Sequence, residues 1–250
     1  MLNIDDLFIS LDVSELPSLE KVYRVAQRHS VLPPDFDPLT FDKLVPGDEL
    51  FPARETLDAP PEEELILERE HAVSERKKEK RAKRRKKEAL IRNRIVRKLQ
   101  RSLNHLPFKR ADRSPAMEYE MRPGHVSFQN RRARMPDLIE AVAELIGEKC
   151  HLQGDYLYPR GGFRTWHTNK YDANGWRLYI IDVEEPRQSF FRIKHPRTGE
   201  IYTHWDKPGT FNFFCLDSDR LMWHCIRSYD THRWSKGFVI PDSWRKRLDV

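Results

Sequence analysis

Between Tyr158 and Ser235 the sequence spaces a small set of residues in a way that could hold a metal ion and a carboxylate. Tyr158-Pro159-Arg160-Gly161-Gly162 runs through Phe163-Arg164-Thr165-Trp166 into His167-Thr168-Asn169, a histidine two residues before a polar side chain. About sixty residues on, Leu221-Met222-Trp223 precedes His224, and Arg233-Trp234-Ser235 begins nine residues later. A non-haem iron site of the facial kind wants two imidazoles and one carboxylate on one side of the metal. The opposite positions then stay open for a chelating co-substrate and dioxygen. A planar guanidinium binds a carboxylate through two parallel hydrogen bonds, and a neighbouring hydroxyl adds a third.

Such residues need a scaffold that brings distant strands face to face. Pro136 to Gly147 reads as an amphipathic helix, with proline near its start and glycine at its stop. Short β-rich runs follow at Tyr156 to Tyr158, Trp176 to Val183, Ser189 to Lys194, Glu200 to Trp205, Thr210 to Leu216, Leu221 to Arg227 and Trp234 to Ile240. Gly, Pro, Asp and Asn turns separate them, which predicts an antiparallel sandwich or barrel. Trp166, Trp176, Trp205, Trp223 and Trp234 read as packing residues first and a substrate platform second.

The motifs resemble the prolyl-hydroxylase-like branch of the Fe(II)- and 2-oxoglutarate-dependent dioxygenases. That family runs a Tyr-x-x-Gly-Gly stretch into His-x-Asp, places a Pro-Gly turn before a strand, and follows a distal His with Arg-x-Ser. Pro208-Gly209-Thr210-Phe211 stands where the turn is expected, so the likeness spans roughly residues 115 to 242. The resemblance implies a mainly β fold with flanking helices, built on a double-stranded β-helix (jelly-roll) core. It makes His167, Asn169 and His224 the metal positions. Arg233 becomes the partner of the distal carboxylate of 2-oxoglutarate, helped by Ser235 and, more weakly, by Tyr179. The implied cofactors are Fe(II) and 2-oxoglutarate, with ascorbate as an optional companion, and the implied activity is hydroxylation of a protein side chain or another macromolecular substrate.

Asn169 departs from the pattern, because the family carries Asp or Glu there. An amide oxygen can ligate iron but brings no negative charge, so a hard dication should be held less tightly. Three accounts stay open: Asn169 ligates weakly, water or Asp172 takes its place, or the chemistry has been lost. His204-Trp205-Asp206 is a literal His-x-Asp, yet it lies only 20 residues before His224 and reads as a surface pair at a strand end. Arg164, Lys170 and Arg177 read as cations near the mouth of the site, facing either an anionic substrate or solvent.

Around this core the chain changes texture. Of its 250 residues 34% are charged and 38% hydrophobic, and the apolar ones gather towards the C-terminus. Residues 1–60 are acidic and proline-rich, irregular apart from a short helix near Leu19 to Gln27. From Pro60-Pro61 to about Leu106 nothing breaks a helix, and Glu75 to Arg101 holds 15 Lys and Arg against 3 Glu. That segment carries +12 of a net +6, so the remainder sums to −6. Lys77, Lys78, Lys80, Arg81, Lys83, Arg84, Arg85, Lys86 and Lys87 form a basic arm suited to polyanions; without aromatic residues it fits non-specific phosphate contact or a solvated helix, not base recognition. The domains expected are thus 1–60, a charged helical arm at 61–106, and the dioxygenase-like domain at 107–250.

No apolar run approaches the roughly 18 to 20 residues of a membrane span, and the start carries acids where a secretory signal carries bases. The 3 cysteines show no Cys-x-x-Cys spacing, which suits a reducing cytoplasm. A protein or nucleoprotein substrate fits the arm. So does a second class of protein, a non-catalytic structural or binding component, such as part of a virion, that keeps the barrel and grips nucleic acid.

Overall fold

Strand-forming runs bounded by turns produce twelve antiparallel strands in the computed structural model, which describes residues 2–4, 7–33, 36, 118–122, 125–130, 133–169 and 172–249. The strands are β1 (Leu2–Ile4), β2 (Phe8–Asp12), β3 (Glu118–Arg122), β4 (His125–Gln129), β5 (His151–Tyr158), β6 (Phe163–His167), β7 (Gly175–Val183), β8 (Ser189–Lys194), β9 (Ile201–Trp205), β10 (Thr210–Leu216), β11 (Trp223–Ser228) and β12 (Arg233–Ile240). Three helices accompany them: α1 (Leu19–Arg28), α2 (Pro136–Ile146) and α3 (Trp244–Leu248).

The order around the sheet is β1-β2-β10-β7-β12-β5-β4-β6-β11-β8-β9, with β3 on the far side of β4. It resolves into two facing layers. One contains β10, β7, β12 and β5, the other β6, β11, β8 and β9, and β4 bridges them by pairing with both β5 and β6. Successive strands from β5 to β12 pass mostly from one layer to the other, which makes the core a jelly-roll, a double-stranded β-helix.

Period-two alternation explains why both faces of the first layer are apolar. Leu178, Ile180, Phe211, Phe213 and Phe238 point outward and pack under the helices, where they meet Leu19, Val22, Leu138, Val142 and Trp244. Tyr158, Phe214, Phe191 and Ile226 point between the layers. Helix α2 forms as its sequence predicts. Proline occupies its first turn, Leu138, Ala141, Val142 and Ile146 make one buried stripe, and Gly147 ends it in the left-handed conformation at φ 79°.

The segment expected to be irregular carries two strands before its first proline, Pro17. Strand β2 pairs with β10 from Thr210↔Asp12 to Phe214↔Phe8, so the start of the chain extends the first layer. Its residues Phe8, Ile9, Ser10 and Leu11 are all buried, so the polarity alternation that marks a half-exposed strand is missing. Helix α1 is where the short helix was expected, and its Val22 and Tyr23 are buried. The basic arm, the helix expected from Pro60 to Leu106, and Lys170 lie outside the described residues. Among the described residues, no helix is long and apolar enough to cross a membrane, and the three cysteines are free thiols.

Candidate functional site

His167 is the last residue of β6 and His224 the second of β11, and the two are direct cross-strand partners. Their ring centroids are 4.0 Å apart. Each ring is held in the same way by its own strand: His167 Nδ1 lies 2.8 Å from the Thr165 carbonyl oxygen, and His224 Nδ1 lies 3.0 Å from that of Met222. A carbonyl accepts only from N–H, so both Nδ1 atoms carry the proton and both Nε2 atoms keep a lone pair. Burial pushes the pKa of both imidazoles down, His224 to about 3, and the Arg164 charge pushes in the same direction. Both are therefore neutral at neutral pH. The Nε2 of His167 is buried and has no hydrogen-bond partner.

Asn169 follows β6 in the left-handed conformation, at φ 55°. Asparagine and aspartate adopt this region more readily than most residues. Its Oδ1 accepts a hydrogen bond from Arg164 Nη2 at 3.3 Å, while Nδ2 lies 3.3 Å from His224 Nε2. The amide thus presents its donor to the imidazole and its oxygen to the guanidinium. Asp172 is exposed and does not line the site, its backbone N–H meeting the Asn169 carbonyl at 2.8 Å.

Arg233 and Ser235 open β12 and share one face, opposite Tyr158 and Tyr156 of β5. Arg233 is 1% exposed; its Nε donates to Asp206 Oδ2 at 2.8 Å, and its Nη1 has no partner. The Ser189 hydroxyl donates to the same carboxylate oxygen at 2.7 Å. Tyr179 of β7 stacks on Phe214 with centroids 5.2 Å apart. It fits because Gly237 lies opposite: a Cβ there would come within 2.8 Å of the Tyr179 ring.

These groups line one narrow cavity of about 20 Å³. It brings together His167, Asn169, His224, Arg233, Ser235 and Tyr179, with Arg164, Tyr156 and Tyr158 beside them and Phe191, Phe214 and Ile226 closing the apolar wall.

Two expectations need correction. Asp206 is not a surface residue: it is fully buried and ion-paired with Arg233, because the chain turns inward at the end of β9 and delivers the carboxylate behind the guanidinium. Its neighbour His204 lies 3.0 Å from the Ser10 hydroxyl. Arg177 is not at the mouth either, since it is buried and donates to the carbonyls of Ala173, Gly175 and Trp176. Of the tryptophans read as packing residues, Trp166, Trp176, Trp223 and Trp234 are buried and Trp205 is half-exposed.

No protein-family model and no curated protein matches this chain. Among solved structures the likeness is to 2OG-Fe(II) oxygenases, prolyl hydroxylases included. One is an oxidoreductase of that family from Burkholderia pseudomallei, with 10% identity over 49% of this chain and 71% of the other and a TM-score of 0.38. A Pseudomonas putida prolyl-4-hydroxylase gives 14% over 50% and 77%, at a TM-score of 0.36. A prolyl hydroxylase from Trichoplax adhaerens, in complex with a hypoxia inducible factor peptide, gives 11% over 62% and 78%, at 0.34. Likenesses of this size assign no role to any residue.

Among the described residues no group of three His, Cys, Asp or Glu side chains could hold a metal ion. The two imidazoles nevertheless suit one. They are neutral, their outer nitrogens are anchored as metal-bound histidines usually are, and a buried lone pair on His167 has no partner. Asn169 suits the third position only with its amide turned, so that Oδ1 leaves Arg164 and faces the imidazoles.

Proposed function

We propose that the cavity is the site of an Fe(II)- and 2-oxoglutarate-dependent oxygenase that hydroxylates a protein side chain or another macromolecular substrate. The observation that carries this reading is the shared cavity: two neutral imidazoles with inward lone pairs at one end, a buried guanidinium with a free donor at the other. His167 and His224 would hold the metal through Nε2, with Asn169 Oδ1 as a neutral third donor. Bound there with its co-substrate, Fe(II) would supply the oxygen activation that side chains alone cannot.

The chain's own part is binding and exclusion. Arg233, fixed by Asp206, offers Nη1 to the distal carboxylate of 2-oxoglutarate, and Ser235 adds a hydroxyl on the same strand face. Phe191, Phe214 and Ile226 keep the wall apolar, so polar contacts inside are less screened by water. Ascorbate would serve only as an accessory reductant.

Anaerobic titration with Fe(II) and 2-oxoglutarate tests the reading. The expected result is the weak visible charge-transfer band of the chelated complex in the wild type, and tighter Fe(II) binding in Asn169→Asp, whose backbone conformation aspartate tolerates. No band in either protein would remove the metal site from the proposal.

A further inference from the structure

Arginines are almost never fully buried unless paired, and Arg233 follows that rule through Asp206. Arg177 of β7 is buried as deeply, at 2% exposed, but its guanidinium is met by backbone. Nη2 donates to the carbonyl of Ala173 at 2.5 Å, and Nη1 donates to those of Gly175 at 3.2 Å and Trp176 at 3.1 Å. Carbonyl dipoles here do the work of a counterion. That is a costly way to bury a charge, and it fixes the peptide groups drawn in around it. Those groups lie where the connection from β6, which starts at Asn169, enters β7.

Two further ties hold the same connection. The Asp172 N–H donates to the Asn169 carbonyl at 2.8 Å, and Asn169 itself is in the left-handed conformation at φ 55°. Exposed Asn174 bonds reciprocally with Ser218, from the connection between β10 and β11. The Ser218 N–H donates to Asn174 Oδ1 at 3.2 Å, and Asn174 Nδ2 donates to the Ser218 hydroxyl at 3.3 Å. The Asn169 amide meets Arg164 and His224 at 3.3 Å each, the long end of the hydrogen-bond range. Its backbone is therefore held more firmly than its side chain, by Asp172, and the next residue along, Ala173, is the one Arg177 grips most closely.

We infer that Arg177 is a positioning residue for Asn169: its grip on the carbonyls after Asp172 holds the backbone from which the amide faces the cavity. The use made of Asn169 rests on the oxygenase reading, while the clamp itself does not. Lysine at 177 would keep the charge, but its single ammonium cannot reproduce a planar fork spread over separate carbonyls.

The test pairs hydrogen exchange of the metal-free full chain with anaerobic Fe(II) titration in the presence of 2-oxoglutarate. In Arg177→Lys the Asp172 amide should exchange at least about tenfold faster, the scale of a lost charge-assisted hydrogen bond, while amides of β8 and β11 keep their protection. Fe(II) binding should weaken by a similar factor. That loss should vanish in an Asn169→Gly background, which keeps the backbone conformation and has no amide to position. Arg177→Gln, uncharged and able to reach fewer carbonyls, repeats the measurement if Arg177→Lys does not fold. Fe(II) binding by the wild type with unchanged exchange at Asp172, or with equal losses in both backgrounds, overturns the inference alone. Absence of Fe(II) binding by the wild type removes the oxygenase reading and the positioning role with it.

Discussion

Replacing Asp206 by alanine should be among the most damaging single changes in this protein. The Arg233–Asp206 pair has an Nε to Oδ2 distance of 2.8 Å and side chains 1% and 0% exposed. Bulk water therefore cannot take over when the carboxylate goes. Removing one partner of a buried pair costs about 3 to 5 kcal/mol, because the other charge stays buried and unpaired. The Ser189 hydroxyl, 2.7 Å from the same oxygen, loses its acceptor as well and adds roughly 1 kcal/mol. A domain is stable by only about 5 to 15 kcal/mol, so Asp206→Ala should consume a large share of it. Urea unfolding near neutral pH in EDTA reads the effect. Glu20→Ala is the control: its pair with Arg24 has side chains 43% and 76% exposed, and its loss should cost about 0 to 1 kcal/mol. The double variant Asp206→Leu with Arg233→Met removes both charges together and should recover most of the loss. If Asp206→Ala falls within about 1 kcal/mol of the wild type, the buried-pair argument is wrong.

Two further outcomes are expected. The folded-state pKa of His167 and His224 is lowered, so the unfolded chain takes up protons first as pH falls. Stability contributed by the two rings is complete above their ordinary value near 6.5 and declines below it, by about 1.4 kcal/mol per pH unit for each. Unfolding free energies between about pH 7 and pH 5 should show this slope, and His224→Gln should reduce it; an undiminished slope would mean other groups set the acid sensitivity. Deleting Lys77 to Lys87, which lie outside the described residues, should weaken binding to duplex nucleic acid and flatten its salt dependence, since fewer counterions are released. An intact protein that ignores duplex at low salt would reduce the arm to a solvated segment.

The order Tyr-Gly-Gly, His-x-Asn, His, Arg-x-Ser picked out Tyr158, His167, Asn169, His224, Arg233 and Ser235, which line one cavity, while Tyr156 in the same lining was not singled out. The β-rich runs were legible because turns bound them. Strand β6 was not, since Phe163-Arg164-Thr165-Trp166-His167 offers a single β-branched residue and owes its place to pairing with β11 and β4. Asp206 was misread for a physical reason. A carboxylate next to Lys207-Pro208-Gly209 looks like the solvated end of a strand, and the residue that makes it a buried partner, Arg233, is 27 positions away. Arg177 was misread in the same sense, because its three backbone carbonyl acceptors leave no trace in the side-chain pattern.

The amide at Asn169 and the buried carboxylate of Asp206 have one electrostatic consequence when taken together. A cavity that holds a dication usually keeps negative charge beside the imidazoles and positive charge at the co-substrate's far end. Here the imidazole end has an amide and Arg164, while the far end has a guanidinium already neutralised by Asp206. On the proposed reading, a metal ion arriving first would meet the Arg164 guanidinium without a carboxylate beside it among the described residues, and a dicarboxylate arriving first would remove that repulsion. The free energy by which the anion helps the metal must equal that by which the metal helps the anion. On the proposed oxygenase reading, Asn169 and Arg164 would therefore make metal and co-substrate affinity depend on each other more strongly than a site with its own carboxylate would require.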